Sequence, residues 1–426
     1  MSAVRTPQAE IVTVGDEIIT GHTLDTNSVF LAQGLLTLGV TPRWRTSVGD
    51  TAADIEEALS RAKSRAEIIL VTGGLGPTHD DITKASLARV FARPLVMHEY
   101  VVSEIAARYA ARGLAMPEIN RNQGLLPERA TLLRNRLGSA VGIMIEEGGA
   151  LCVALPGVPA EMRAIFSEEL APKLRGRFPG AQVAVRKLRT SGVIESALAE
   201  RISALVTIPS SVRLAYLPSY DGVDLRLIAG GTGGDRIVTA LGDTIRDALG
   251  ELVYGEDEDT LESALGDLLR AGKARLALAE SCTGGLTAAR ITRVAGSSDY
   301  FDRGFVTYTN RAKHEDLGAP ADTLANFGAV SPETARAMAV GALTKSSADI
   351  AASVTGIAGP GGGSSAKPIG LVYVGIARKQ GNTRTVGAYK FLFGADRTVN
   401  RERSVAATLN LLRLTLIGKA PKPLDE

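Results

Sequence analysis

The chain contains few cysteines, few histidines and few aromatic residues for its length of 426 residues. Two cysteines exclude a disulfide framework and a cysteine-based zinc site. The four histidines are scattered along the sequence, which argues against a histidine-rich metal cage. Aromatic residues make up 4% of the chain and hydrophobic residues 45%, so the cores must consist mostly of Ala, Val, Leu and Ile. This composition is typical of α/β proteins.

A surplus of charge and a long apolar run are missing as well. The formal net charge of +2 produces no global field that would attract nucleic acid or a membrane surface. Residues 1–11 lack the apolar region of a signal peptide, and no apolar run has the length of a membrane span. The sequence therefore predicts a cytoplasmic protein without membrane association. Its length predicts about two to four compact units.

Apolar strands alternate with helices at both ends of the chain, which predicts α/β domains, the first of them built on a parallel sheet. The pattern changes between residues 178 and 256, where a small β-α-β-β-α unit without a dense motif is predicted. The acidic stretch 254–259 is interpreted as a solvated linker. The predicted domains are residues 1–175, 176–256 and 257–426.

A glycine-rich loop follows a continuous apolar strand at residues 68–71. The loop, residues 72–78, lets the backbone approach a phosphate, and the N-terminus of the next helix favours anions. Paired aspartates beside such a loop, here Asp80 and Asp81, could hold a divalent metal that bridges to phosphate oxygens. Asp50 belongs to the same predicted site. The alternative is that Asp81 caps the following helix while Asp80 is solvated.

A second strand, turn and helix occupy residues 275–290, which read RLALAESCTGGLTAAR. A strand that breaks at small residues and opens a helix leaves backbone N–H groups unpaired. These donors and the helix dipole suit a phosphate or an oxyanion. Ser281 and Thr283 place hydroxyl groups at this corner. The alternative is that one of them only caps the helix.

Two further strand ends carry hydroxyl groups, at Tyr308 and Thr355. If their strands neighbour the Ser281 strand in one sheet, the hydroxyl groups converge on one edge, with Lys313 and Arg397 in reach. Ser281 is then the candidate nucleophile, and Lys313 or Tyr308 is its basic partner. Arg397 would hold an anionic group. Taken alone, Lys313 would be interpreted as a solvent-facing lysine.

Several of these segments resemble one protein family. ESCTGG, VTYTNRAK, VTGIAGP and the pair Asp396 and Arg397 are similar to the C-terminal domain of the CinA family (competence- and damage-inducible protein), which is shared with nicotinamide-nucleotide amidases. VGDEIITG, TGGLGPTHDD and LPGVPAEM resemble the molybdopterin-binding-like N-terminal domain of that family, and the middle unit resembles its KH-like domain. The resemblance covers essentially the whole chain in the same order.

For the C-terminal domain, the resemblance implies hydrolysis of nicotinamide mononucleotide to nicotinic acid mononucleotide and ammonia, in pyridine nucleotide salvage and without a cofactor. Ser281 would attack the carboxamide carbon while Lys313 and Tyr308 transfer protons. Thr355 would position the amide or its tetrahedral intermediate. The implied substrate-binding residues are Thr283, Gly284, Gly356 and Arg397. Backbone N–H groups near Thr283 and Gly284 would hold the oxyanion, and Arg397 would bind the phosphate.

For the N-terminal domain, the resemblance implies hydrolysis of ADP-ribose with a divalent metal (Mg, Mn or Co) and optionally potassium, and related domains bind or adenylate molybdopterin. Asp50 and Asp81 would be catalytic, and Asp80 and Asp81 would hold the metal. The implied substrate-binding residues of the loop are Gly73, Gly74, Gly76 and Thr78. The chain departs from the family at Asn122, where a lysine that would meet a phosphate is common. Arg121 can replace that lysine only if its side chain faces the site.

The expected partners are small-molecule nucleotides and a second copy of the chain. A homodimer is expected because the helices, poor in aromatic residues, leave apolar faces that another subunit could cover. A KH domain that grips nucleic acid uses a GXXG loop, and none is clear between residues 178 and 256, so the middle unit is interpreted as a spacer or dimerisation module. Two alternatives stay open: a protein that binds nucleotide or molybdopterin without turnover, and a competence or DNA-repair factor that associates with nucleic acid.

Overall fold

The computed structural model describes residues 7–178, 183–231, 233–394 and 396–424, and the chain divides into two compact units. The first unit contains residues 1–185 and 228–237, and the second contains residues 186–227 and 238–426. Within the described ranges, no helix is long and apolar enough to cross a membrane.

The first unit is an α/β domain. Its strands are β1 (Gln8–Val14), β2 (Thr41–Val48), β3 (Ile68–Thr72), β4 (Leu95–Met97), β5 (Leu125–Pro127), β6 (Thr131–Leu133), β7 (Gly142–Glu147) and β8 (Ala150–Leu155). Its helices are α1 (Asp16–Ile19), α2 (Thr26–Thr37), α3 (Ala52–Arg65), α4 (Thr83–Val90), α5 (Glu99–Ala110), α6 (Pro159–Ile165) and α7 (Ala171–Arg177). A 3₁₀ helix covers Glu118–Gly124, and a π-helical turn covers Phe166–Leu170.

Six of these strands form one sheet in the order β2-β1-β3-β8-β7-β6, while β4 and β5 pair separately. The predicted parallel arrangement is confirmed from β2 to β8, because β1 runs parallel to β2 and β3, and β3 runs parallel to β8. β7 and β6 add an antiparallel edge. Gly148 and Gly149, with φ of +60° and +84°, form the tight hairpin from β7 into β8. Helix α3 packs Ile55 and Leu59 against one face, and α2 packs Leu31 and Leu35 against the other.

The second unit holds most of the small β-α-β-β-α arrangement that the sequence predicts. Its elements are β9 (Val183–Thr190), α8 (Glu195–Leu205), β10 (Val212–Pro218), β11 (Val223–Gly230), α9 (Gly234–Leu249), a 3₁₀ helix (Gly250–Leu252) and β12 (Val253–Glu256). The strand order is β10-β11-β9-β12. The interpretation of residues 254–259 as a linker is wrong for its first half, because β12 pairs antiparallel with β9 and Glu256 accepts hydrogen bonds from Arg186.

The rest of the second unit is an α/β domain with helices on both faces of its sheet. Its strands are β13 (Leu276–Glu280), β14 (Phe301–Val306), β15 (Ile350–Gly356), β16 (Leu371–Gln380) and β17 (Thr383–Leu392). Its helices are α10 (Leu261–Ala271), α11 (Leu286–Ile291), α12 (Asn310–Leu317), α13 (Ala321–Phe327), α14 (Pro332–Thr344) and α15 (Arg397–Leu416), with a 3₁₀ helix at Ser297–Asp299.

This C-terminal sheet has the order β14-β13-β15-β16-β17. β13 runs parallel to both β14 and β15, and β16 and β17 join antiparallel. The strands that lead to Tyr308, Ser281 and Thr355 are therefore adjacent, which meets the condition for the predicted site. Their carboxyl ends share one edge of the sheet, which is where a site is expected in such folds.

Candidate active sites

The side chains of Ser281 and Lys313 meet at the carboxyl end of the C-terminal sheet. Ser281 directly follows β13, and its backbone N–H donates to the carbonyl of Val354 in β15 (2.9 Å). Lys313 lies in α12, whose N-terminus is capped by the Thr309 side chain. The Nζ of Lys313 lies 2.9 Å from the Oγ of Ser281. The structure therefore places the candidate nucleophile within hydrogen-bond reach of one of its two predicted basic partners.

Lys313 is fully buried, so its interpretation as a solvent-facing lysine is wrong. Its Nζ also lies within hydrogen-bond distance of the backbone carbonyls of Thr307 (2.8 Å) and Tyr308 (3.3 Å). Burial lowers the pKa of Lys313 from 10.5 to about 8, and the nearby Cys282 opposes this shift in part. A neutral amine has two N–H donors, which the two carbonyls accept, and one lone pair. The lone pair is then left for the Ser281 hydroxyl, as a general base requires.

The turn between β13 and α11 is held by Glu280, a buried residue that the sequence reasoning did not single out. Its carboxylate accepts hydrogen bonds from the backbone N–H groups of Gly285 (3.0 Å), Thr287 (3.0 Å) and Ala288 (2.8 Å). These donors at the start of α11 are therefore not free for a phosphate or an oxyanion, and that part of the prediction is wrong. The alternative that Ser281 or Thr283 caps the helix is also wrong, because the N-cap residue is Gly285 and the first N–H groups of the helix donate to Glu280.

Other backbone donors lie beside the candidate nucleophile. The N–H of Gly284 donates to the Ser281 carbonyl (3.1 Å), so it does not serve as the predicted oxyanion donor in this arrangement. Among the described residues, no backbone carbonyl accepts a hydrogen bond from the N–H groups of Cys282 and Thr283. The N–H that follows a nucleophile is a usual oxyanion donor. Burial raises the pKa of the Cys282 thiol to about 12, so this thiol stays protonated and does not compete with Ser281.

Tyr308 and Arg397 lie together at the edge of this site. The exposed phenol of Tyr308 accepts a hydrogen bond from Nη2 of Arg397 (3.1 Å), whereas its backbone carbonyl contacts Lys313. Nη1 of Arg397 donates to the carbonyl of Gly359 (2.8 Å). A guanidinium has five N–H donors, so Arg397 retains donors for an anion. The structure thus associates the Tyr308 hydroxyl with Arg397 rather than with the Ser281 and Lys313 pair.

Thr355 and Gly356 complete the predicted set. The buried hydroxyl of Thr355 donates to the Ala329 carbonyl (2.7 Å), so its oxygen is free to accept an N–H from a carboxamide. A Cβ at Gly356 would lie 2.7 Å from the Leu371 carbonyl oxygen, so this position requires the close approach that glycine allows. Gly356 therefore brings β15 and β16 together beside Thr355.

Arg401 is a second arginine of the site that the sequence reasoning missed. Its Nη2 donates to the carbonyl of Thr283 in the nucleophile turn (2.7 Å). The sequence could have indicated this residue, because Arg401 follows Arg397 by four residues. That spacing places two side chains on one face of a helix. His314, by contrast, is exposed, and its Nδ1 contacts the Ala319 carbonyl (2.8 Å).

The predicted residues of the N-terminal site, except Thr78, line one cavity of about 480 Å³ in the first unit. Its lining includes Asp50, Asp80, Asp81, Gly73, Gly74 and Gly76. Gly73 has a φ of +109°, and a Cβ there would lie 2.1 Å from the Val14 carbonyl oxygen. The glycine-rich loop can therefore pack against the end of β1 only because this position lacks a side chain.

Asp81 is engaged by its own loop. Its carboxylate accepts hydrogen bonds from the N–H groups of Gly76 (2.7 Å) and Thr78 (2.8 Å) and from the Thr78 hydroxyl (2.5 Å). No side chain caps α4, so the alternative role of Asp81 as a helix cap is wrong. The described residues contain no group of three or more His, Cys, Asp or Glu side chains that could hold a metal ion.

Asp50 is a carboxylate of this cavity whose pKa is raised. Burial and the carboxylates of Asp16, Glu17 and Asp80 raise the pKa of Asp50, although a hydrogen bond from the Asp16 N–H (2.9 Å) opposes the shift. Carboxylates with raised pKa values in a cavity are candidate proton acceptors or donors. Asp50 is therefore the strongest candidate for proton transfer among the residues predicted for this site.

The region of Asn122 differs from the prediction. Arg121 pairs with Glu99 (3.1 Å) and does not belong to the cavity lining, so it does not replace the absent lysine. Instead Lys84 of α4, which is buried, donates from its Nζ to the backbone carbonyl of Asn122 (2.8 Å). Burial lowers the pKa of Lys84 to about 8, and Asp81 opposes this shift. Lys84 of α4 thus lies beside Asn122, the position at which the chain departs from the family.

Comparisons with known proteins agree along the whole chain. A model described as "Probable molybdopterin binding domain" matches residues 10–176, the damage-inducible protein CinA KH domain matches residues 185–255, and the CinA C-terminal domain matches residues 258–416. A curated relative from Caldicellulosiruptor saccharolyticus is 41% identical over 413 residues, which cover 96% of this chain and 99% of the relative. A "CinA-like protein" from Gemmatimonas aurantiaca is 40% identical over 418 residues, covering 96% and 97% of the two chains.

Some solved structures are similar to part of this chain. The competence/damage inducible protein CihA from Agrobacterium tumefaciens is 46% identical, with a TM-score of 0.35, over 37% of this chain and 93% of its own. The order of the three domain models and the nearly full-length relatives agree with the motifs on both sheets. The chain belongs to the CinA family of competence- and damage-inducible proteins.

Proposed function

We propose that the C-terminal domain is a nicotinamide-nucleotide amidase, which hydrolyses nicotinamide mononucleotide to nicotinic acid mononucleotide and ammonia. One observation carries the proposal: the Nζ of Lys313 lies 2.9 Å from the Oγ of Ser281 and within hydrogen-bond distance of two backbone carbonyls. A buried lysine held in this way supplies a base for a serine without a histidine.

In the proposed reaction, Ser281 gives its proton to the neutral amine of Lys313 as its Oγ bonds to the carboxamide carbon. The pyridinium ring withdraws electrons from this carbon and favours the attack. The backbone N–H groups of Cys282 and Thr283 are the proposed donors to the oxyanion. Lys313 then returns the proton to the leaving nitrogen, ammonia departs, and an acyl-enzyme on Ser281 remains. Water attacks this ester and releases the carboxylate product, which restores both side chains.

The remaining residues have binding roles in this proposal. The Thr355 hydroxyl, which already donates to the Ala329 carbonyl, accepts an N–H of the carboxamide and so orients the leaving nitrogen. Arg397 binds the phosphate group with its remaining donors, and the Tyr308 phenol fixes its guanidinium. The proton transfers are assigned to Lys313 alone, because the Tyr308 phenol contacts Arg397.

Ammonia release from nicotinamide mononucleotide by the purified full-length chain tests the proposal. Ser281→Ala should abolish the release, and Cys282→Ala, an equally small change at the adjacent buried thiol, should retain it. Release that persists in Ser281→Ala would remove Ser281 as the nucleophile. A folded chain that binds the nucleotide in calorimetry but releases no ammonia would favour the alternative of binding without turnover.

We also propose that the N-terminal domain binds ADP-ribose and cleaves its pyrophosphate. The convergence of the glycine-rich loop with Asp50, Asp80 and Asp81 on one cavity supports this. The charged residues lining the cavity are all acidic: Glu17, Asp25, Asp50, Asp80, Asp81 and Glu161. These carboxylates would repel a pyrophosphate that arrives without a cation, so we expect binding to require a divalent metal such as Mg, Mn or Co, with potassium as an optional addition.

Formation of AMP from ADP-ribose, measured with MgCl₂ and with EDTA, tests the second activity. Asp50→Asn should abolish it, whereas Asp54→Asn, the same change at an exposed residue of α3, should not. Activity that survives both EDTA and Asp50→Asn would contradict the proposal.

For the homodimer, light scattering should give twice the chain mass of 44.6 kDa. Binding to DNA that weakens steeply with salt would favour the repair-factor alternative instead.

A further inference from the structure

The helix that follows the candidate nucleophile is tied to the KH-like part of the second unit. Arg290, in the last turn of α11, donates from Nη1 and Nη2 to the two carboxylate oxygens of Asp221 (2.6 and 2.9 Å). Its Nη2 also bonds to Glu262 of α10. Side-chain exposure is 7% for Arg290, 6% for Glu262 and 24% for Asp221, so this ion cluster is largely removed from water.

The turn that contains Asp221 is held in place by contacts with its own residues and with the end of β9. It belongs to the turn between β10 and β11, which closes through a hydrogen bond from the Ser219 N–H to the Gly222 carbonyl (2.8 Å). The Ser191 hydroxyl donates to the backbone carbonyl of Asp221 (2.6 Å). A Cβ at Gly222 would lie 2.0 Å from the Thr190 carbonyl oxygen, so the turn packs closely on the end of β9. A bidentate arginine and carboxylate pair on such a support fixes orientation as well as distance.

The opposite end of α11 holds the nucleophile turn. Glu280 binds the first N–H groups of the helix, and Arg401 binds the Thr283 carbonyl. Because α11 spans only Leu286–Ile291, Arg290 lies within a few residues of the nucleophile turn. The N–H groups proposed to meet the oxyanion lie in that turn.

We propose that Asp221 is a positioning residue of the amidase, through which the KH-like unit holds the nucleophile turn in its reactive geometry. The expected effect of Asp221 on kcat rests on the proposed amidase function. The KH-like unit is then a part of the catalytic scaffold rather than the spacer or dimerisation module that its sequence suggests.

The test compares Asp221→Asn with Asp224→Asn in the full-length chain. Asp224 is a matched control, because it pairs with Arg189 (2.8 Å) in the neighbouring strand β9 of the same KH-like sheet rather than with α11. Asp221→Asn should lower kcat for ammonia release about tenfold with a change in KM below about twofold, since small displacements of reacting groups cost rate more than binding. Asp224→Asn should leave kcat within about twofold of wild type.

Hydrogen exchange of the peptide covering residues 281–291 supplies a readout that does not depend on turnover. Its backbone amides should exchange faster in Asp221→Asn and at the wild-type rate in Asp224→Asn. Should Asp221→Asn fail to fold, Arg290→Lys serves instead, because it keeps a cation between the carboxylates but loses the bidentate geometry.

The outcomes separate the two proposals. Unchanged kcat and unchanged exchange in Asp221→Asn would overturn the positioning role and leave the amidase intact. An equal loss in both variants would show a general effect of the KH-like sheet and would also overturn it. If wild type releases no ammonia, the proposed function fails, and the exchange rates alone then decide whether Asp221 orders the turn.

Discussion

Raising the pH from 7 to 9 should increase the amidase rate about tenfold, because Lys313 must lose a proton to act as a base. Burial lowers the pKa of this lysine from 10.5 to about 8. With that pKa, about 9% of the chains carry the neutral amine at pH 7 and about 90% at pH 9. An ordinary lysine would be neutral in about 0.03% of chains at pH 7, so burial raises the competent fraction about 300-fold.

The assay is ammonia release at subsaturating nicotinamide mononucleotide, where kcat/KM reports the free enzyme. Between pH 7 and 9.5 the substrate phosphate is already ionised, since its second pKa is about 6. The rate should rise through pH 8 and level off above it. Lys313→Arg should lower the rate by about 10²- to 10⁴-fold and abolish the rising limb, because a guanidinium does not deprotonate. A wild-type rate that is independent of pH over this range, or an inflection near pH 10.5, would refute Lys313 as the base.

Three further predictions concern stability and folding. Lys313→Met should raise the free energy of unfolding at pH 7 by about 1–2 kcal/mol, because the depressed pKa costs about 3 kcal/mol and the two lost carbonyl bonds offset about 1 kcal/mol each. The gain in the free energy of unfolding, measured in urea, should shrink at pH 9. The unfolded chain holds more protons than the native one between pH 8 and 10.5, so the stability of the wild type rises with pH in this range. A gain that grows with pH would contradict the buried-lysine account. Glu280→Gln should cost about 1–3 kcal/mol and lower kcat, because the start of α11 loses its charge-assisted acceptor, and a thermal midpoint equal to wild type would argue against that role. Gly73→Ala should destabilise the chain by at least about 2 kcal/mol more than Gly21→Ala, because both glycines have positive φ but only Gly73 faces a carbonyl oxygen at 2.1 Å, that of Val14. Equal thermal midpoints for these two variants would refute the close approach.

Local patterns were enough to find the elements that carry chemistry. The apolar run before Ser281 predicted β13, and three strand ends with hydroxyl groups were recognised as one site on the condition that their strands are neighbours, which β14, β13 and β15 are. The glycine-rich loop and its aspartates were likewise predicted to meet in one place. In each case a short strand of apolar residues followed by a polar turn is a signal contained within about ten residues.

The elements that were missed or misread are those whose patterns are ambiguous without their neighbours. β2 reads TPRWRTSV, with a proline and two arginines, and it becomes an edge strand only because β1 supplies its hydrogen bonds. Residues 254–256 were interpreted as the start of an acidic linker. They belong to β12, which pairs with β9, and Arg186 of β9 donates a hydrogen bond to Glu256.

The sequence by itself determined the family, the α/β class and the residue types gathered at each sheet edge. The tertiary structure decided what those residues can do. Burial and two carbonyls make Lys313 a candidate base, whereas a lysine alone indicates solvent exposure. Glu280 removes the helix N-terminus as an anion site, and Asp221, 69 residues from Arg290, ties the KH-like turn to the nucleophile helix. The physical reason is that a pKa and a hydrogen-bond partner depend on distances between remote segments, which only the folded chain fixes.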